Sequence, residues 1–414
     1  MASLQPVRGT RDILPDEARR FRHIAEGARA VCERYGFEEI ATPIFEFSEV
    51  FRRTLGDTSD IVTKEMYSFT DKGGDDITLR PEGTAGVARM LISGGLVRNL
   101  PLKLFYQGPM FRYERPQKGR FRQFHQIGVE LLGVAEPTAD VEVIAMAAAV
   151  LDALGVAAHT TLELNTLGNA ASRAAYRAAL VEYLAAHQDA LSEDSRGRLE
   201  RNPLRILDSK DEGDRAIIAG APDFADSLDA ESAGFFAAVR DGLDALGIAY
   251  TLNSRLVRGL DYYCHTAFEF TTEALGAQGT VLAGGRYDGL VQQMGGPATP
   301  GVGWAAGIER LALLAEDGPP PPRPVAVVPV AAEVEREALR LAETLRRAGF
   351  VVELAYRGNL SRRLKRANRL GARAALILGP DELARGAATL RDLDSGKQEE
   401  VALEALTERL SPYR

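Results

Sequence analysis

The sequence predicts an α+β protein in which a large mixed domain is followed by a small α/β domain. Three observations carry that reading. Four consecutive prolines in "AEDGPPPPRP" (315–324) break the chain, because proline fits neither a helix interior nor a central strand and favours an extended spacer. Beyond the break, strand-like and helix-like segments alternate, which implies a mostly parallel sheet. Before it, two β-rich segments flank the polar "ERPQKGR", the pattern of a long antiparallel hairpin.

The elements follow in order. A helix is predicted from about Asp16 to Tyr35, then the extended "FEEIATPIFEFSEVF", where Pro43 interrupts the strand. The hairpin covers Tyr106 to Gly133, and "ADVEVIAMAAAVLDALG" is a long helix. Residues 170–247, rich in alanine and charge, read as a helical insertion. "LVRGLDYYCHTAFEF" (256–270) alternates like a strand, and "GVGWAAGIERLALL" starts glycine-rich before taking helical spacing. "AGGRYDG" puts Arg286 in a glycine-rich turn. After the spacer come the strand "VAVVPV", a helix ending at Gly349, the strand "VVELAY", the helix "LSRRLKRANRLGA" and the strand "AALILG". The expected boundaries are 1–169 and 248–315 for the two parts of the core, 170–247 for the insertion, 316–324 for the linker and 325–414 for the last domain.

Composition limits the function classes. The chain has 414 residues, 45% hydrophobic and 26% charged, with a net charge of −8, so a globular protein without indiscriminate nucleic-acid affinity is expected. No apolar run is long enough to span a bilayer, and the N-terminus lacks a secretory core, so no membrane partner and a cytoplasmic location are expected. Two distant cysteines and five scattered histidines offer no protein metal site.

Chemistry concentrates in three places. On the second hairpin strand, alternation puts Arg122, Phe124, Gln126, Gly128 and Glu130 on one face, a set that does not suit a merely solvated sheet. Gly128 removes a side chain where polar neighbours could close around a small ligand. On the first strand Arg112 and Glu114 share a parity, and Arg120 stands at the loop exit. "TLRPEGTAG" offers Glu82 and Thr84 in a turn that suits an ammonium group, although the pattern taken alone reads more readily as a plain turn. Arg310 sits near a helix start, where backbone N–H groups favour anions. There is no P-loop and no dinucleotide fingerprint.

In this order, "FEEIATPIFE", the "FRYE…RFRQFHQ" hairpin and "GVGWAAGIERL" resemble the three signature motifs of class II aminoacyl-tRNA synthetases. "TLRPEGTAG" and "LVRGLDYY" resemble the two elements that mark the histidyl-tRNA synthetase family among them, and the match runs nearly end to end. The resemblance implies an antiparallel sheet with flanking helices, a homodimer built on the first motif, and a C-terminal domain that reads the anticodon stem-loop. It implies activation of L-histidine with ATP, Mg²⁺ arriving with the nucleotide, and transfer to tRNA(His); no DNA partner is expected. Arg112 would hold the ATP α-phosphate, with Arg258 opposite it, while Glu114 would meet the adenine edge and Arg120 would join them. Phe124 would stack on the adenine, and Arg310 would hold the distal phosphates. Glu82, Thr84 and Gln126 would take the amino group of histidine, and Glu130, Tyr262 and Tyr263 would surround its imidazole. One departure is Tyr113, where many members have histidine; it is expected to face away from ATP.

Contacts to tRNA are expected from Gln117 and Lys118 in the loop and from Arg362, Arg363, Lys365 and Arg366. These four belong to a run of seven cations between Arg357 and Arg373 without an acid. Two other readings stay open. One is a catalytically inactive paralogue that regulates ATP phosphoribosyltransferase, against which "RGLDYY" and the C-terminal domain speak. The other is a class II synthetase for a different small amino acid. At the strand head, Arg258 could also simply pair with Asp261.

Overall fold

The computed structural model describes residues 4–55, 61–117, 119–257, 262–276 and 279–413. The chain divides into two compact units, Met1–Gly318 and Pro319–Arg414.

The first unit opens with α1 (Pro15–Arg34). Proline at its start and Asp16 and Glu17 in its first turn suit a helix N-terminus. Phe21, Ile24, Ala28 and Val31 recur at helical spacing and are buried. Gly36, at φ +79°, ends the run in a conformation glycine adopts without strain. Next come β1 (Glu38–Ile40), β2 (Phe45–Phe47), α2 (Ser48–Leu55), β3 (Tyr67–Thr70), β4 (Asp76–Leu79) and α3 (Thr84–Ser93). The long pair β5 (Leu102–Phe111) and β6 (Gln123–Leu132) follows, then α4 (Pro137–Ala153) and β7 (Thr161–Thr166).

Helices α5 (Ala170–Ala186), α6 (Glu193–Arg201), α7 (Glu212–Ile218) and α8 (Ala230–Ala245) occupy the stretch read as an insertion. Asn169, Ser192, Asp211 and Asp229 cap them in turn, each accepting from first-turn N–H groups. The last of the four belongs to the main core, because Val239 and Leu243 of α8 pack with α1 and α4. The unit closes with β8 (Thr251–Leu252), β9 (Cys264–Thr271), β10 (Thr280–Arg286), α9 (Leu290–Gln293), β11 (Gly301–Gly307) and α10 (Ile308–Leu311).

Eight strands among the described residues form one sheet, ordered β1-β5-β6-β11-β10-β9-β7-β8. Its pairings are antiparallel except at the two edges, where β1 runs parallel to β5 and β8 to β7. One face buries Ile127, Val129, Phe268, Leu282 and Trp304 against α1, α4 and α8. The other face carries the site. β2, β4 and β3 make a separate three-stranded sheet in that order.

Two positions differ from simple reading. Arg286 is not in a turn: it ends β10, is fully buried, and pairs with Asp140 of α4 and with Asp288. It also donates to the carbonyls of Val134 and Glu136, so its charge and its donors are met inside the core. Secondly, β9 does not alternate cleanly at its head. The register with β10 shifts between Gly285 and Arg286, and His265 takes φ +44°. Just before β9, the consecutive residues Tyr262 and Tyr263 are both buried, and both line the same cavity.

The second unit is a five-stranded sheet ordered β13-β12-β14-β15-β16, built from β12 (Val325–Pro329), β13 (Val352–Leu354), β14 (Ala374–Leu378), β15 (Ala387–Asp392) and β16 (Gln398–Ala402). The first three are parallel, joined through α11 (Glu335–Arg347) and α12 (Leu360–Arg369); the last two are antiparallel. Bare apolar strands such as β14 are covered on both faces, by separate clusters around Leu376 and Ala375.

Candidate active site

A cavity of about 540 Å³ opens on the second face of the large sheet, with β6 as its floor. Phe124, Gln126 and Glu130 all line it, as period-two alternation requires, while Ile127 and Val129 point into the core behind. Glu82 and Thr84 enter from the start of α3, Arg112, Glu114 and Arg120 from the hairpin loop, Tyr262 and Tyr263 from the head of β9, and Arg310 from α10.

Glu130 is 1% exposed and accepts three hydroxyl hydrogen bonds. Thr84 Oγ1 donates to its Oε1 at 2.7 Å, Tyr106 Oη donates to the same oxygen at 3.3 Å, and Tyr287 Oη donates to Oε2. Burial dominates even so and pushes the carboxyl up to about 8. Tyr106 and Tyr287 are missing from the sequence reading. Tyr106 of β5 shares the parity of Arg112, the residue just after that strand, which could have pointed to it; nothing local marks Tyr287.

The glycines have a different purpose from the expected one. Gly128 does not leave room for a ligand: a Cβ there would collide with the Tyr106 ring, and so would one at Gly83 on the ring's other flank. The two absent side chains are the slot that aims Tyr106 at Glu130. Gly303 pairs with Glu130 across β11 and β6, and its bare α-carbon leaves space for the carboxylate.

Glu82 is buried and accepts from the backbone N–H of Thr84 at 2.6 Å and of Ala85 at 2.8 Å, capping α3. Its desolvation raises its pKa, partly offset by those bonds. Gln126 Oε1 and the Tyr262 hydroxyl are buried without a protein partner. From behind, Arg173 of α5 donates to the Tyr263 carbonyl at 2.7 Å.

At the other end Arg112 donates from Nε to the Pro81 carbonyl (2.9 Å), and its guanidinium stands 5.3 Å from the Phe124 ring and 3.8 Å from Glu114. Arg120 pairs with Glu114. Arg310 donates to the Thr280 carbonyl at 2.6 Å; burial, and then the nearby Arg120, lower its pKa. Beside it Glu309, also unremarked in the sequence, accepts from the His125 backbone N–H at 2.9 Å and meets its Nδ1 at 3.0 Å, which ties α10 to β6. Tyr113 is exposed, under the Arg122 guanidinium at 3.7 Å. Gln117 is exposed in a tight turn closed by backbone bonds with Arg120. Arg258 and Lys118 lie outside the described residues.

The basic helix of the second unit needs one correction. Arg362 and Lys365 of α12 are exposed, and Arg366 pairs with Glu353. Arg363 turns inward, 7% exposed, donating to the carbonyls of Gly358 and Pro329 and pairing with Glu335. Next to Ala367 at i+4 it lies on the packed side of α12, which a count of charges does not reveal.

Among the described residues no cluster of acids, histidines or cysteines suits a metal, and no helix is long and apolar enough to cross a membrane. The arrangement therefore pairs a small polar cup with an arginine-rich rim, fit for a small cationic molecule beside a polyanion. Comparison with known proteins agrees. Residues 9–311 match the profile of the family "Histidyl-tRNA synthetase", and residues 324–412 that of "Anticodon binding domain". The chain is 64% identical to the histidine–tRNA ligase of Rhodospirillum rubrum over 414 residues, the full length of both. It is 59% identical to that of Gluconacetobacter diazotrophicus over 411 residues, 99% of each chain. The crystal structure of apo S. aureus histidyl-tRNA synthetase superposes with a TM-score of 0.82 at 36% identity, covering 98% of this chain and 99% of that one.

Proposed function

Because the chain belongs to the histidyl-tRNA synthetase family, we propose that the cavity over β6 houses the first step of that family's reaction. The chain is a class II aminoacyl-tRNA ligase: it activates L-histidine with ATP to histidyl-adenylate and pyrophosphate, then transfers the histidyl group to the 3′ end of tRNA(His).

The observation that carries the site reading is Glu130, buried at the bottom of the cup under three hydroxyls. A carboxylate has about four lone-pair positions, so one remains for an imidazole N–H. Tyr263 and Tyr262 offer hydroxyls to the other ring nitrogen. A ligand lacking either nitrogen would leave buried polar groups unpaired, which is a strong basis for rejection. The α-ammonium has three donors. Glu82 keeps free lone pairs beyond its two backbone bonds, Thr84 donates its only proton to Glu130 and keeps acceptor capacity, and Gln126 Oε1 has no protein partner.

At the rim, Arg112 holds the α-phosphate, Glu114 meets the adenine edge with Arg120 beside it, Phe124 stacks on one face of the ring, and Arg310 holds the distal phosphates from the other. The histidine carboxylate attacks the α-phosphorus and pyrophosphate leaves. Both reactants are anions, so fixed cations supply most of the acceleration through positioning and charge. Arg258 is the further cation of this step, and Mg²⁺ enters with ATP as part of that substrate.

The second unit takes the anticodon stem, with Arg362, Lys365 and Arg366 toward phosphates, and Gln117 and Lys118 meet the acceptor end. A homodimer is supported by Ile44, Phe45, Phe47 and Phe69, large apolar side chains exposed on and beside the three-stranded sheet. The work is done in the cytoplasm, where charged tRNA is used. ATP–pyrophosphate exchange, run with each amino acid in turn, tests the reading: histidine alone should support exchange. Exchange with another amino acid and not with histidine would remove it.

A further inference from the structure

We propose that the segment Val7 to Arg11 is a strap that holds the ATP-facing hairpin loop in its binding conformation, with Gly9 and Arg11 as positioning residues. The inference rests on the assignment of Arg112 and Glu114 to ATP.

The strap makes a tight turn, with Thr10 donating from both its backbone N–H (2.9 Å) and its hydroxyl (2.7 Å) to the Val7 carbonyl. Gly9 stands at the apex with φ +87° and turns its carbonyl to the loop, where it accepts from the Arg122 backbone N–H at 2.8 Å. The approach is close. A Cβ on Gly9 would lie 2.7 Å from Arg122 Cγ and 3.0 Å from Pro116 Cγ, so only glycine fits both the dihedral and the space.

Arg122 passes this restraint onward. Its carbonyl accepts from the Arg112 backbone N–H at 3.0 Å, and its Nε donates to the Glu114 carbonyl at 3.2 Å. One residue therefore connects the strap to the backbone of both ATP-facing residues, Arg112 and Glu114. Arg11 adds a second fastening: its guanidinium lies 4.4 Å from the Phe121 ring centroid and binds Glu17 of α1 at 2.8 Å. The strap is thus anchored on a core helix and grips the loop base at Phe121 and Arg122.

A loop of arginines and a glutamate must be ordered before it can clasp a nucleotide, and whatever orders it beforehand removes that cost from binding. Releasing the strap should therefore weaken ATP capture more than histidine binding, since the hydrogen bonds of Glu82, Thr84 and Glu130 run among themselves and to Ala85, Tyr106 and Tyr287, and to no residue of the strap.

The test is ATP–pyrophosphate exchange on full-length Arg11→Ala, Arg11→Lys and Gly9→Ala, with Glu114→Ala as reference and a thermal melt of each. Arg11 is exposed, so its variants should fold. Arg11→Ala should raise the KM for ATP about five- to tenfold, the scale of a lost cation–aromatic fastening, with the KM for histidine within about twofold. Arg11→Lys should recover part of that loss. If Glu114→Ala raises the ATP KM and none of the three strap variants does, the strap is wrong while the site stands. If both KM values rise together in the strap variants with a fallen melting temperature, the segment is merely structural and the inference fails. If Glu114→Ala leaves the ATP KM unchanged, the ATP assignment fails and the strap's role falls with it.

Discussion

The ring of Tyr106 occupies the space that Gly128 leaves: the two residues are partners across β5 and β6, and the bare α-carbon lets the tyrosine lie flat and reach Glu130. Gly128→Ala should therefore displace the ring and loosen the carboxylate. Overpacking of this kind costs about 1–3 kcal/mol of stability. The KM for histidine should rise at least about tenfold as the bond to Glu130 is lost, with that for ATP nearly constant. Exchange kinetics and a thermal melt read both effects, and an unchanged histidine KM would show that Tyr106 does not aim Glu130.

The raised pKa of Glu130 has a sign in stability. Its protonated form is favoured by the fold, from an ordinary value of 4.5 up to about 8. The folded state then binds more protons than the unfolded one in that window, so stability is greatest below it and falls as pH rises toward 8. Melting temperatures of the ligand-free protein should drop across pH 5 to 8, and Glu130→Gln should show a visibly smaller drop. Parallel curves for the two proteins would mean that Glu130 is ionised throughout.

Arg258 is assigned to the activation step, as a cation on the α-phosphate. Arg258→Ala should slow histidyl-adenylate formation by about 10²–10³, the scale for one lost donor to developing charge. Histidine binding should stay within a few-fold, and transfer from preformed adenylate should persist. Single-turnover measurements separate the two steps; a variant slow in transfer and normal in activation would refute the assignment.

The basic helix gives a paired prediction. Arg362→Glu with Lys365→Glu should weaken tRNA charging and reduce the salt slope by about two, one per lost phosphate contact, without affecting adenylate formation. Arg363→Glu should instead destabilise the second unit, because it leaves the carbonyls of Gly358 and Pro329 and the Glu335 carboxylate without their partner. Equal behaviour of the two sets would contradict the division between outward and inward cations.

Periodicity is a local property, and what it determines was readable. The span of α1, the hairpin of β5 and β6, and the common face of Phe124, Gln126 and Glu130 follow from spacing within one segment. What escaped depends on segments meeting across the fold. Tyr287 reaches Glu130 from just beyond the end of β10, and the purpose of Gly128 exists only because Tyr106 lies opposite. Arg286 looks like a polar residue among glycines until Asp140 of α4 is placed beside it. Arg363 looks like its neighbours until β12 and α11 cover it. Tyr262 and Tyr263 reach the same cavity from the turn that precedes β9, where strand alternation does not apply.

The strand order of the large sheet also bears on how the chain is made. During synthesis β6 is free to pair with β5 once both have left the ribosome, but the neighbour for its other edge, β11, begins only at Gly301, near the end of the first unit. Until then a ten-residue edge carrying Phe124 and Ile127 stays open beside the tunnel exit. Such an edge is a template for wrong pairing, and long-range closure of this kind is slow. Nascent chains halted before Gly301 should accordingly be held by chaperones, and release should follow the arrival of β11 rather than of the helices in between.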